Sequence, residues 1–256
     1  MLQSLTDAAL RDGYGNMTRN LCTDECNIRL TPHQISIRIR VMTPRSLFFA
    51  RWLELALVFG LLPLLIAAVG PRGLLFAALW LGFGACWWVL RKEPGYGFRD
   101  DWNAAALNRK AMGEVGLRFA FFAMLLTAFA LYAVPGRLLS FPLERTPVWA
   151  MVMVLYPVLS VVPQEFIYRS FFLRRYRDLF RSPRVLALVS ALAFGWAHVV
   201  MQNVVAVVFC AIGGVLFTHT YLKHRSLALC CFEHALYGCF VFTLGLGQFF
   251  YHGAMR

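Results

Sequence analysis

"VWAMVMVLYPVLSVVPQEFIYRSFFL", residues 148–173, decides the fold. The run is longer than the roughly 20 apolar residues a helix needs to cross a bilayer. Within it, Gln164 and Glu165 stand side by side, and Arg169 follows Glu165 at the i,i+4 spacing at which helical side chains meet. Ionisable groups at such a depth are costly, which makes them candidates for function rather than filler.

Runs of the same kind recur outward from this one. Apolar spans are expected at about 47–69, 71–90, 116–134, 148–173, 184–200, 203–222 and 226–250. The composition agrees: 59% of the 256 residues are hydrophobic, well beyond an ordinary soluble chain. The fold class expected is therefore all-α, a polytopic integral-membrane helical bundle of about seven transmembrane helices. The simplest division is a polar tail over 1–45 and one membrane domain over 46–256.

The chain carries 25 Lys+Arg against 13 Asp+Glu, a formal charge of +12. Placement separates a membrane pattern from a nucleic-acid one. Arg38, Arg40 and Arg45 precede the first span. Arg91, Lys92, Arg99, Arg109 and Lys110 lie between the second and third. Arg174, Arg175, Arg177, Arg181 and Arg184 lie between the fourth and fifth, and Lys223 with Arg225 between the sixth and seventh. The alternate connections hold only Arg72, then Arg137 with Arg145, then none, and Arg256 closes the chain. This is the positive-inside pattern, and it predicts a cytoplasmic N-terminus in a prokaryotic inner membrane. The lipid bilayer is the expected partner and nucleic acid is not. The first span reads as a signal anchor with no cleavable signal peptide before it. Cys22 and Cys26 in the tail are expected to be free thiols; Cys86, Cys210, Cys230, Cys231 and Cys239 in the spans are expected to pack as small hydrophobes.

Few ionisable groups fall inside spans: Glu54, Glu165, Arg169, His198, His219, Glu233 and His234. Arg51 and Glu54 are expected to pair with each other near the interface, and His219 to reach the headgroups. Helix counting relates the remainder. Glu165 lies 15 residues before Phe180 and His198 lies 15 after Pro183, so each stands about 22 Å from their shared turn. His234 is nine residues past Arg225 and Glu165 nine before Arg174, which sets both about 13 Å inside one interface. One carboxylate and two imidazoles thus come to a common depth. The connection between His198 and the sixth span is too short to climb further, so the fifth span must be short or tilted. Trp80, Trp87, Trp88, Trp102 and Trp149 are expected in an interfacial belt, and Gly82, Gly84, Gly213 and Gly214 at close helix contacts.

"QEFIYR" (164–169), "FGWAH" (194–198) and "HALYG" (234–238) resemble the three motifs of the CPBP family, the CAAX-prenyl-protease-like intramembrane glutamic endopeptidases. The motif core covers about 148–240. The family pattern is Glu-Glu-x-x-x-Arg, then Phe-x-x-x-His, then His-x-x-x-Asn. The resemblance implies hydrolysis of a peptide bond near the C-terminus of a membrane-associated protein or peptide. The first-motif glutamate and second-motif histidine would activate water, and the third-motif histidine and asparagine would stabilise the oxyanion. Two positions depart from it: Gln164 replaces the first glutamate, and Gly238 falls on the asparagine. On this reading Glu165 is the base, His198 its partner, His234 the oxyanion donor and Arg169 the orienter, with Gln164, Glu233 and Phe194 in support. No cofactor and no metal is expected.

Physical chemistry supports and limits these roles. A carboxylate taken out of water is a stronger base, whereas an adjacent guanidinium works against that. With Gln164 in the motif, no second carboxylate is left to divide the two duties. Three alternatives follow: a CPBP-fold scaffold or bacteriocin-immunity protein without hydrolysis, a zinc protease with Glu165 and the two histidines as ligands, and a transporter using buried Glu and His as a proton relay.

Overall fold

The computed structural model describes residues 25–30, 35–40, 44–69 and 75–250. The chain divides into two units, Met1–Ala50 and Arg51–Arg256. In the first, β1 (Glu25–Leu30) pairs antiparallel with β2 (Ile35–Arg40), with Glu25 opposite Arg40 and Leu30 opposite Ile35. The "ISIRIR" of β2 alternates apolar and polar residues with the period of a strand. It is too short a signal to stand out in a polar tail. Cys22 lies outside the described residues.

The apolar part of the chain is all-α, as expected. Five helices are long and apolar enough to cross a membrane: α1 (Arg45–Val69), α3 (Arg109–Ala133), α4 (Thr146–Arg175), α5 (Pro183–Met201) and α6 (Val204–His224). Two apolar helices are shorter, α2 (Leu75–Leu90) and α7 (Leu227–Thr243). Two boundaries differ from the hydropathy reading. Helix α3 starts at Arg109 rather than near 116, because the Asn108 side chain caps it by accepting from the Ala111 N–H at 3.1 Å. Helix α7 stops at Thr243 although the apolar run continues to 250, because Gly245 adopts φ 85° and a short 3₁₀ turn, Leu246–Phe249, follows.

Beyond its first turn, where Pro147 sits, helix α4 contains two prolines, and each leaves the carbonyl four residues earlier without its helical donor. For Pro163 that carbonyl is Leu159, and the Trp80 indole N–H of α2 donates to it at 3.0 Å. For Pro157 it is Met153, where the Cys239 thiol of α7 lies at 4.0 Å. A bilayer offers no water to such groups, so neighbouring helices must satisfy them. Trp80 is thus not merely an interfacial anchor. The same helix widens into π turns at Pro157–Val161 and Phe166–Phe171. The first motif straddles this geometry, with Gln164 and Glu165 on the α-helical segment Val162–Glu165 between the π turns and Arg169 inside the second, a placement typical of functional positions.

Helices α5 and α6 form the tightest hairpin. A Cβ on Gly195 would sit 2.6–2.8 Å from Ala211, and one on Gly214 2.7–3.2 Å from the Ala191 backbone. Of the four glycines expected at close contacts, Gly214 makes one of this kind. Gly82 meets only Ile167 at an ordinary 3.6 Å, nothing lies near Gly84, and Gly213 faces Phe217 of its own helix. Polar ties hold the basic end of the bundle. Arg51 and Glu54 do not pair with each other: Arg51 reaches Asp178 at 3.1 Å, while Glu54 accepts from Arg175 at 3.1 and 2.8 Å and from Tyr176 at 3.0 Å. Buried Asp101, on the short helix Phe98–Trp102, accepts from the Tyr221 hydroxyl at 2.5 Å and from the Ser170 hydroxyl, joining the α2–α3 connection to α4 and α6.

Candidate active site

Glu165 is fully buried, and its contacts use both carboxylate oxygens. Oε2 forms the ion pair with Arg169 Nε at 2.9 Å and accepts from the Cys230 thiol at 2.9 Å. Oε1 accepts from His234 Nδ1 at 2.7 Å. The i,i+4 pairing therefore forms as its spacing predicts. Arg169 is equally buried; its guanidinium lies 4.9 Å from the centre of the Phe194 ring, and Nη1 is 3.5 Å from Ser190 Oγ. Glu165 and Arg169 thus neutralise each other inside protein.

His198 occupies the end of α5, where the α-helical part (Pro183–Ala197) passes into a 3₁₀ turn. Carbonyls in the last turn of a helix lack helical donors. His198 supplies one from its ring, as Nδ1 donates to the Phe194 carbonyl at 2.8 Å. A carbonyl can only accept, so Nδ1 carries the proton and Nε2 of the neutral ring keeps its lone pair. This accounts for the Phe-x-x-x-His spacing: the histidine is fixed by the backbone of the residue four before it. The Phe194 ring separates the two imidazoles, with its centre 5.0 Å from His198 and 5.5 Å from His234. The helix count put Glu165, His198 and His234 at a common depth; Glu165 and His234 meet there, whereas His198 hydrogen-bonds to neither.

His234 stacks on Phe217 at 4.6 Å and 17°. Its Nδ1 belongs to Glu165, and its Nε2 lies 3.0 Å from the Tyr156 hydroxyl of α4. With the carboxylate accepting from Nδ1, the neutral ring receives the tyrosine proton at Nε2. Gly238, one turn beyond His234, makes this possible. A Cβ there would overlap Cε1, Cζ and the hydroxyl oxygen of Tyr156. The departure at Gly238 is therefore filled by a hydroxyl from another helix, which sequence reading missed because Tyr156 counted only as one aromatic among many.

One cavity of about 880 Å³ receives these groups. Its polar wall includes Tyr156, Ser160, Gln164, His198, His234 and Tyr237; the rest is overwhelmingly apolar, and no Asp, Glu, Lys or Arg lines it. Gln164 donates to Ser160 Oγ at 2.7 Å, and its buried Oε1 has no partner among the described residues. The adjacent residues of the motif have thus parted: Gln164 is on the wall, and Glu165 is behind it. Both Glu165 oxygens are engaged and unexposed, so the carboxylate expected to act as base stands behind the wall. Glu233 does not line the cavity either. It is buried on the far side of α7, paired with Arg118 of α3 at 2.7 Å and accepting from Thr220 at 2.5 Å. Among the described residues, no three His, Cys, Asp or Glu side chains are grouped as metal ligands.

Residues 146–240 match the family model described as type II CAAX prenyl endopeptidase Rce1-like. No curated protein and no solved structure matches the chain.

Proposed function

Because residues 146–240 make this chain a member of the CPBP family of CAAX-prenyl-protease-like membrane proteins, we propose that it is an intramembrane endopeptidase in which histidine, not a carboxylate, meets the reacting water. Its substrate is a membrane-associated protein, cut near the C-terminus. The observation that carries the reading is that two imidazoles line one cavity, each with Nδ1 engaged: Nε2 of His234 holds the Tyr156 hydroxyl, and Nε2 of His198 has no hydrogen-bond partner among the described residues. Beside them is the unpartnered Gln164 Oε1.

In this scheme a water donates to His198 Nε2 and to Gln164 Oε1, and its oxygen attacks the scissile carbonyl as His198 takes the proton. The Tyr156 hydroxyl, held at rest by His234 Nε2, turns its hydrogen bond to the tetrahedral oxyanion. The Glu165 carboxylate on Nδ1 fixes the tautomer and orientation of His234, as a buried carboxylate does for a catalytic histidine elsewhere. The imidazolium of His198 then protonates the leaving nitrogen as the C–N bond breaks.

A second reading has its own support, since no carboxylate lines the cavity and Gln164 is neutral. On that reading the chain binds a membrane segment without cutting it. The termini of membrane proteins, determined by mass spectrometry in cells with and without the gene, decide between them. Shortened termini that vanish with His198→Ala support hydrolysis; identical termini in all strains support the binding protein. Gln164→Glu, which returns a carboxylate to the wall, is expected to raise cleavage by about 10²-fold, the low end for a positioned base.

A further inference from the structure

The helices alternate in direction, so each has an end rich in basic residues and an end poor in them, the poor ends having only Arg72, Arg137, Arg145 and the closing Arg256 nearby in sequence. Arg91 closes α2, Lys110 opens α3, Arg174 closes α4 and Lys223 closes α6. The cavity takes its wall from the opposite ends and from the middle of the helices, reaching inward to Cys86 on α2 and Tyr168 on α4. Ile66 is near the end of α1, Leu75 at the start of α2, Phe129 in the last turns of α3, Val148 at the start of α4, Met201 at the end of α5 and Phe242 at the end of α7. Not one of the basic residues that define the other face lines it. That other face is tied shut by Asp101 with Ser170 and Tyr221, and by Glu54 with Arg175 and Tyr176.

Basic connections remain on the cytoplasmic side. We infer that this cavity, which reaches mid-membrane, opens to the extracytoplasmic side and takes an uncharged, apolar polypeptide segment presented from that side, not a tail reaching in from the cytoplasm. A charged side chain would meet no counter-ion on the wall, and burying it unpaired is prohibitive. The polar groups Gln164, His198 and His234 would address the backbone of such a segment. This inference rests on reading the cavity as the substrate site.

Sidedness can be measured without any cleavage. Leu155→Cys places a thiol on the cavity wall, and Arg91→Cys places one at a basic end. Each full-length variant is treated with a membrane-impermeant thiosulfonate in spheroplasts and in inside-out vesicles, with the parent protein as the background. Leu155→Cys is expected to be modified from the spheroplast exterior only, and Arg91→Cys from the vesicle exterior only. Modification of Leu155→Cys from the cytoplasmic face, or none from the outer face, overturns the inference. Unchanged termini in the cellular experiment would instead overturn hydrolysis, leaving the labelling result to decide the side. If cut sites are found, they are expected in apolar stretches on the extracytoplasmic side of the substrate.

Discussion

Replacing Glu165 by glutamine removes the counter-ion of an arginine that has no exposure. Breaking a buried pair in this way costs about 3–5 kcal/mol. Glu165→Gln is therefore expected to unfold at lower temperature in detergent as well as to lose activity, so activity alone cannot identify it as the base. At Tyr156 the expectation is different. Tyr156→Phe deletes one hydroxyl and should lower the cleavage rate about 10²-fold, the scale of one lost oxyanion donor, with little change in KM. Gly238→Ala should do the same by displacing the ring. The double variant should lose no more than either single one, since both remove the same contact. Steady-state cleavage of an identified substrate tests all three. Spacing in the sequence was enough to pair Glu165 with Arg169 and to set Glu165 and His234 at one depth, because i,i+4 pairing and depth can both be counted along helices. It could not put Phe194 between the histidines, since depth fixes height in the bundle but not direction around it. Nor could it find Tyr156, because a glycine is read as an absence until packing shows what fills it.

Helix α4 shows how an element tolerates what its sequence forbids. The Leu159 carbonyl left open by Pro163 is answered by Trp80. Trp80→Phe keeps the ring but removes the donor, leaving a carbonyl on the outer, lipid-facing surface of the bundle unsatisfied at a cost of about 1–3 kcal/mol. In a Pro163→Ala background, where the helix regains its own N–H, the same change should cost almost nothing. Unfolding of the four proteins in one detergent gives the coupling; equal costs in both backgrounds would show that Trp80 serves only as packing. Helices were legible as apolar runs, but their ends were not. Asn108 extends α3 through a side-chain cap and Gly245 stops α7 through backbone conformation, and neither effect registers in hydropathy. The β1–β2 hairpin was missed for a related reason, being two short strands in a polar segment.

For the whole molecule, the distribution of basic residues predicts orientation. Segments 91–108, 176–182 and 225–226 are expected in the cytoplasm and 134–145 outside. Single cysteines introduced in each and labelled from either side would test this, and a cytoplasmic 134–145 would invert the assignment. The extra pairing of Glu54 with Arg175, and of Arg51 with Asp178, was not visible in advance. The sequence neighbours at i,i+3 suggested a local pair, whereas the bundle offered each a stronger partner on a distant segment.

The close seam between α5 and α6 bears on the order in which the molecule is assembled. Gly195 against Ala211 and Gly214 against Ala191 join two helices that leave the ribosome consecutively. Their loop is short, so little chain entropy opposes their meeting. This hairpin is expected to lock during synthesis and to deliver His198, with its bond to Phe194, before α7 exists. Glu165 and Arg169 would by then already neutralise each other within α4. The contacts of Glu165 to His234 and Cys230 must await α7. Until α7 is made, a nascent chain lacks Cys230, His234 and Tyr237 together, so the surroundings of Glu165 and the cavity wall are completed in one step.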